Sequence, residues 1–206
     1  MTITTRSEEP GTLRRVHLTG RGRKHATREG RPRRRRALVT LAAPTALLAG
    51  YAVWANVHTV TLTASVDIEA APDQVWSVLT DLPAYPEWNP FITSATVTSG
   101  DGRLRKGARL RSILHDRTGD SVFAPRVLTM DRDRELRRLG MVGFRGIADG
   151  EHRFTLRPLG PRLVRLTQSE NFTGVAVPFI GGKLDSDTLP QFHAMNDALK
   201  RRVEKR

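Results

Sequence analysis

The sequence predicts an α+β domain, an antiparallel sheet with its helices segregated, carried behind an apolar N-terminal anchor. Three observations predict it. From His58 onward apolar and polar residues alternate with period two: Val60, Leu62, Ala64, Val66 and Ile68 against Thr59, Thr61, Thr63, Ser65 and Asp67. Such alternation gives a strand one apolar face. The chain closes on an amphipathic stretch with Phe192, Met195, Leu199 and Val203 at helical spacing, an apolar stripe for a core. Ahead of both, Ala37–Val57 runs 21 residues without a charge, directly after Arg31-Pro32-Arg33-Arg34-Arg35-Arg36.

As a helix, Ala37–Val57 would be about 31 Å long, close to the hydrocarbon thickness of a bilayer. The basic cluster abutting it belongs on the cytoplasmic side, against anionic headgroups. Residues 58–206 then face the extracytoplasmic side of a single-pass membrane protein. A cleaved signal peptide fits less well, because the leader of 36 residues is long and the apolar run exceeds the usual 7–15. The end of the run, Tyr51–Val57, also offers no Ala-x-Ala, and Tyr51 and Trp54 sit where an interfacial aromatic belt would lie. Pro44, Gly50 and the Ala/Thr content leave the span only moderately apolar. Because the domain after it looks complete, the run is expected to be an added anchor outside the core.

Residues 1–36 carry twelve Lys or Arg against Glu8, Glu9 and Glu29, a net +9 of the chain's +13. The basicity therefore belongs to a tail too poor in apolar residues to order itself. Holding topology and binding anionic lipid headgroups is its first role, and docking a partner protein is another. A nucleic-acid arm is disfavoured by the lack of interleaved aromatics. With no cysteine in the chain, disulfides, thiolate nucleophiles and cysteine metal sites are excluded. There is no Gly-x-Ser-x-Gly, His-Glu-x-x-His, Walker loop or dinucleotide fingerprint. The six histidines show no metal-ligand spacing, so neither metal nor cofactor is expected.

Along residues 58–206 the first strand leads to Ala71-Pro72-Asp73, which opens a helix with Val75, Trp76, Val78 and Leu79 at helical spacing. Pro83, Pro86 and Pro90 break the next stretch of chain into short turns. Six further strands are read at Phe91–Thr98, Ala108–His115, Val122–Met130, Glu135–Met141, Gly150–Pro158 and Arg162–Thr173. Turns such as Ser99-Gly100-Asp101-Gly102 and Pro158-Leu159-Gly160-Pro161 separate them. A meander curling around one long terminal helix tends to leave a cavity between sheet and helix.

Ile68-Glu69-Ala70-Ala71-Pro72-Asp73-Gln74-Val75-Trp76 resembles the opening of START-like (SRPBCC) helix-grip domains, the superfamily that includes the polyketide cyclase/dehydrase group. Asp81-Leu82-Pro83-Ala84-Tyr85-Pro86-Glu87-Trp88-Asn89-Pro90 continues the likeness. So do Gly150-Glu151-His152-x-Phe154, Gln168-x-Glu170-x-Phe172-x-Gly174 and Phe192-x-Ala194-Met195-Asn196-x-Ala198-Leu199-Lys200. The resemblance runs from about Val60 to Glu204 and implies a helix-grip fold, a curved antiparallel sheet wrapped around the C-terminal helix. Because such folds host many chemistries, it does not settle function.

Strand parity locates the candidate site. His152, Phe154 and Leu156 share one face, and on the next strand Val164, Leu166, Gln168, Glu170 and Phe172 share another. If the Pro158–Pro161 turn sets the register, His152 lies opposite Gln168 and diagonal to Glu170. That trio is either a self-satisfied polar network closing one end of the cavity, a ligand-orienting cluster, or a general acid/base pair of His152 and Glu170 for enolisation. Trp76, Phe91, Leu110, Leu128, Phe154, Leu166, Phe192, Met195 and Leu199 are candidate cavity walls, and Asn196 a polar contact at its roof. Trp88-Asn89-Pro90 is expected to fix a turn near the mouth. Val175–Gly182, apolar and ending in two glycines, is a connector that could also serve as a lid or brush a membrane. The leading expectation is a membrane-anchored domain binding a hydrophobic small molecule or lipid. Its rivals are a polyketide cyclase/aromatase-like enzyme and an accessory interaction domain.

Overall fold

Alternation sets the inward faces of the strands, and prolines, glycines and bulges interrupt the pattern. The computed structural model describes residues 31–116 and 119–205, so the expected tail over residues 1–30 lies outside them. The chain divides between Ala42 and Ala43 into two compact units. Helix α1 (Arg31–Val57) belongs to the first up to Ala42 and to the second from Ala43. Among the described residues no helix is long and apolar enough to cross a membrane.

The end of α1 is not separate from the domain, which corrects the expectation of an anchor wholly outside the core. Ala55 is completely buried. The Tyr51 hydroxyl donates to the Val175 carbonyl at 2.7 Å, and the Gly174 N–H donates to the Ala55 carbonyl at 3.0 Å. Position 174 requires glycine, because its φ is +126° and a Cβ there would lie 2.5 Å from the Ile147 carbonyl oxygen.

Strand β1 (Val60–Ile68) buries Leu62, Ala64 and Ile68. Pro72 then starts α2 (Pro72–Thr80), whose Gln74 side chain accepts the Ala71 N–H at 3.0 Å. Helix α2 turns Val75, Trp76, Val78 and Leu79 inward. A 3-10 turn over Leu82–Ala84 and the short α3 (Tyr85–Trp88) come next. Tyr85 is buried and donates to the Leu79 carbonyl at 2.7 Å. Asn89 ends α3 by accepting the Phe91 and Ile92 N–H groups on Oδ1, each at 2.9 Å, and so starts β2 (Ile92–Val97).

The strands form two antiparallel sheets. One orders β2, β3 (Leu110–Asp116) and β4 (Gly119–Phe123). The other orders β1-β8-β7-β6-β5, with β5 (Arg126–Asp131), β6 (Glu135–Val142), β7 (Ala148–Gly160) and β8 (Leu163–Thr173). The single strand expected over Val122–Met130 is thus two, so seven strands come after the short helices. The break falls at Ala124-Pro125, because Pro125 has no N–H for a ladder. Its carbonyl instead accepts Leu110 N–H at 2.8 Å, and Val127 N–H reaches the Ala108 carbonyl at 2.8 Å, tying the sheets together.

The β7–β8 hairpin closes around Pro161 and Arg162, beyond the expected turn, with a bulge between Pro158 and Gly160. His152 therefore faces Glu170, and Phe154 faces Gln168, which corrects the expected register, His152 opposite Gln168, by two residues. The bulge is what brings the inward residues of both strands to one face, since a one-residue slip would turn one set outward.

Val175–Gly182 is largely helical. Helix α4 (Val177–Lys183) runs through a π-helical turn, Leu184–Thr188, into α5 (Leu189–Glu204). Phe192, Met195, Ala198, Leu199 and Val203 form the buried face of α5. Its end is moored: Lys200 Nζ donates to the Asp67 carbonyl and to Glu204, both at 2.7 Å, and Glu204 also accepts the Glu69 N–H at 2.8 Å. Arg202 pairs with Glu87 of α3. The result is an α+β helix-grip fold, its sheets wrapped on a long C-terminal helix, with Leu79, Leu110, Leu136, Phe154, Leu166 and Leu199 at the centre of the core.

Candidate functional site

Each strand of the larger sheet places one inward residue in a row, and two such rows make the site. Arg138 of β6 pairs with His152 of β7, and His152 with Glu170 of β8. The row beneath is Leu136, Phe154 and Gln168. The row above starts with a glycine pair, Gly140 opposite Gly150. A Cβ on Gly150 would lie 2.3 Å from Glu170 Oε1, and one on Gly140 would lie 1.9 Å from the Phe123 ring. The missing side chains are filled by a carboxylate in one case and a phenyl ring in the other.

Between this face and α5 lies a cavity of about 210 Å³. Its polar side is Ser112, Arg138, His152, Gln168 and Glu170, with Asn89 from the α3–β2 turn and Thr188 and Gln191 from the start of α5. Its apolar side is Phe91, Ile92, Leu114, Phe123, Phe172, Phe192 and Met195.

The His152 ring stacks on Phe154, with centroids 4.5 Å apart, and on Phe192 at 5.1 Å. Burial, assisted by the charge of Arg138, holds its pKa well below the ordinary 6.5, so the imidazole is neutral at pH 7. Its Nε2 lies 2.9 Å from the Gln168 amide nitrogen. With the amide donating, the imidazole proton sits on Nδ1, which is 3.9 Å from Glu170 Oε2. Burial pushes Glu170 up to about 7, against the opposing pull of Arg138. The ordinary order of the two groups is thus reversed: the carboxyl titrates near neutrality while the imidazole stays neutral. A protonated carboxyl can donate to a ligand oxygen, and its conjugate base can take a proton.

Phe91, His152, Gln168, Glu170, Phe192 and Met195 are the sequence candidates that the structure brings to the cavity. Trp76, Leu110, Phe154, Leu166 and Leu199 lie in the core instead, a correction to their expected place on the wall. Phe154 still bears on the site by stacking beneath His152. Leu128 is corrected too. A bulge between Val127 and Thr129 buries Val127 and turns Leu128 to a groove on the outer face, beside Leu139 and Met141. Asn196 is buried but not on the cavity wall, and both its amide atoms lack hydrogen-bond partners.

Arg138 is the charged cavity residue that sequence reasoning misses. It is only 5% exposed, and its guanidinium lies over the Phe154 ring, 5.2 Å from the centroid. Parity is the available signal, since Leu136, Arg138 and Gly140 share the inward face of β6. Ser112 and Leu114 carry the same signal on β3. Asn89, expected only to fix a turn, also reaches the cavity. Among the described residues no cluster of three or more His, Asp or Glu is placed to hold a metal ion.

A family model described as polyketide cyclase/dehydrase and lipid transport matches residues 59–204. Among solved structures, a START superfamily protein from Mycobacterium smegmatis is 26% identical, covering 70% of this chain and 97% of its own, with a TM-score of 0.56. The Zhui aromatase/cyclase from Streptomyces sp. R1128 is 15% identical, covering 72% of this chain and 96% of its own, with a TM-score of 0.61. Norcoclaurine synthase from Thalictrum flavum, solved with dopamine and hydroxybenzaldehyde, is 15% identical, covering 72% and 88%, with a TM-score of 0.58. The last two likenesses concern the fold alone. No curated protein matches the chain.

Proposed function

The chain belongs to the polyketide cyclase/dehydrase and lipid transport family, and from that membership we propose that it is a binding domain holding a compact, largely apolar small molecule between its sheet and α5. The observation that carries this reading is the cavity itself, with a mostly aromatic wall on one side and a few convergent polar groups on the other, the usual composition of a small-molecule site. Its volume of about 210 Å³ lies below the roughly 300–1,000 Å³ usual for ligand pockets. That favours one or two rings, or a short branched chain, over a two-chain lipid.

The N-terminal helix is the tether in this reading. Its support is the uncharged run Ala37–Val57 behind the basic run Arg31–Arg36, which would hold the domain at the extracytoplasmic membrane surface. Native mass spectrometry of the full chain tests the binding reading. A small organic adduct, or saturable uptake of added naphthalene, is expected and should disappear in Leu114→Trp, which fills the cavity. An empty protein that takes up no such molecule would overturn it.

A second reading is favoured by one specific observation, the neutral imidazole of His152 beside a carboxyl titrating at about 7. The pair would move a proton at the α-carbon of a bound carbonyl compound. Exchange of α-deuterium from a bound β-keto compound, lost in Glu170→Gln, is the result expected of it. Equal exchange in both proteins would refute it.

A further inference from the structure

We propose that the cavity takes its ligand as an organic anion, a compact aromatic or branched carboxylate whose charge is held by the Arg138 guanidinium. This rests on reading the cavity as a ligand site and goes further by assigning the ligand's charge.

A guanidinium stays protonated in proteins, so burying it without a counter-charge costs several kcal/mol. Arg138 is nevertheless 5% exposed and lines the cavity. Among the described residues it makes no ion pair and no hydrogen bond, and its Nε is a buried donor without an acceptor. Its guanidinium lies over the Phe154 face, 5.2 Å from the centroid, and pulls on the Glu170 carboxyl without pairing with it. A cation–π contact offsets only part of that cost.

Below about pH 7 the two groups in its row do not supply the missing anion. His152 is held neutral, and Glu170, two strands away, is itself pushed up to about 7. Among the described residues no other titratable side chain lines the cavity, where β3 and β4 contribute Ser112, Leu114 and Phe123 and the start of α5 contributes Thr188, Gln191, Phe192 and Met195.

A second donor is idle in the same cavity. Asn89 is 8% exposed, its Oδ1 is committed to two backbone N–H groups, and its Nδ2 has no partner. A site with a buried cation, an unused amide donor and a carboxyl able to keep its proton is built to receive oxygen acceptors carrying negative charge. The aromatic wall opposite sets the rest of the ligand as apolar.

The test is calorimetric titration of the full chain at pH 6 with trans-cinnamate and with its neutral isostere, cinnamamide. Wild-type protein should bind the carboxylate at least tenfold tighter than the amide. Arg138→Gln should abolish that preference, and Arg138→Lys should keep part of it. Equal binding of the two compounds by the wild type, or a preference that survives in R138Q, would overturn the anion assignment while leaving the binding reading intact. Binding of neither compound, nor of naphthalene, would overturn both. Should R138Q fail to fold, the wild-type comparison and the R138K variant still decide the matter.

Discussion

Replacing Glu170 by Gln should stabilise the protein at alkaline pH and leave it nearly unchanged at acid pH. The carboxyl titrates at about 7 in the fold against an ordinary 4.5. Between those values the folded state binds more protons than the unfolded chain, so stability falls as pH rises from about 4.5 through about 7. A shift of roughly two and a half units, at about 1.36 kcal/mol each, makes the penalty about 3 kcal/mol, complete above pH 7. Glutamine matches the shape and carries no charge to desolvate.

Urea denaturation of both proteins at a series of pH values from 4.5 to 8.5 reads this directly. His152 contributes its own dependence with the opposite slope. Its pKa is depressed in the fold, so the unfolded chain binds more protons below about 6.5 and stability falls there as pH drops. Both proteins contain His152, so to first order it cancels in their difference. The Gln variant should be about 3 kcal/mol more stable at pH 8.5, with the gap closing toward pH 4.5. A gap that does not change with pH, or a Gln variant less stable at pH 8.5, would refute the argument that burial dominates the Glu170 environment.

Gly140→Ala must displace the Phe123 ring, which lies 1.9 Å from where the new Cβ would stand. It should cost about 1–3 kcal/mol in thermal or urea denaturation, and little when Phe123 is already alanine. A reporter fused after Arg206 tests the tether: phosphatase of the kind active only outside the cytoplasm should work there, and a cytoplasmic reporter should not. Cytoplasmic reporter activity would reverse the proposed topology.

The α+β fold and its long terminal helix are legible because they rest on period-two alternation and on the apolar stripe Phe192–Val203, both local signals. Two kinds of feature are less legible. Register depends on where a hairpin closes, and closure around Pro161 and Arg162 together with the Pro158–Gly160 bulge sets His152 opposite Glu170 and not Gln168 without altering the pattern of apolar residues. Burial of a charge is the other. Arg138 has the parity of Leu136, yet composition gives an arginine no reason to be inside, so only the packed strands place it beside His152. Leu128 is misplaced for a related reason, since a bulge inverts parity locally. Tyr51 and Ala55 cannot be assigned to the domain from sequence either, because their contacts join segments more than a hundred residues apart.

Glycine at position 150 decides how Glu170 behaves. With no side chain there, the carboxylate leans over β7, its Oε1 occupying the space a Cβ would need at 2.3 Å. In that position it is 3.9 Å from His152 Nδ1 and not paired with Arg138, so burial prevails and its pKa rises to about 7. Gly150→Ala would evict the carboxylate. Because it is the far end of a flexible side chain, it can swing without moving the backbone, and the space open to it is the cavity that Arg138 lines. Nearer that cation, the charged form is favoured. The Glu170 titration, followed by NMR of its side-chain carboxyl, should therefore move from about 7 toward the ordinary range near 4.5. The preference for cinnamate over cinnamamide should shrink in the same variant, because an internal carboxylate then competes for the guanidinium. A carboxyl that still titrates at about 7 in G150A would mean that its height comes from the surrounding apolar wall alone, and that Gly150 has no part in keeping Arg138 free.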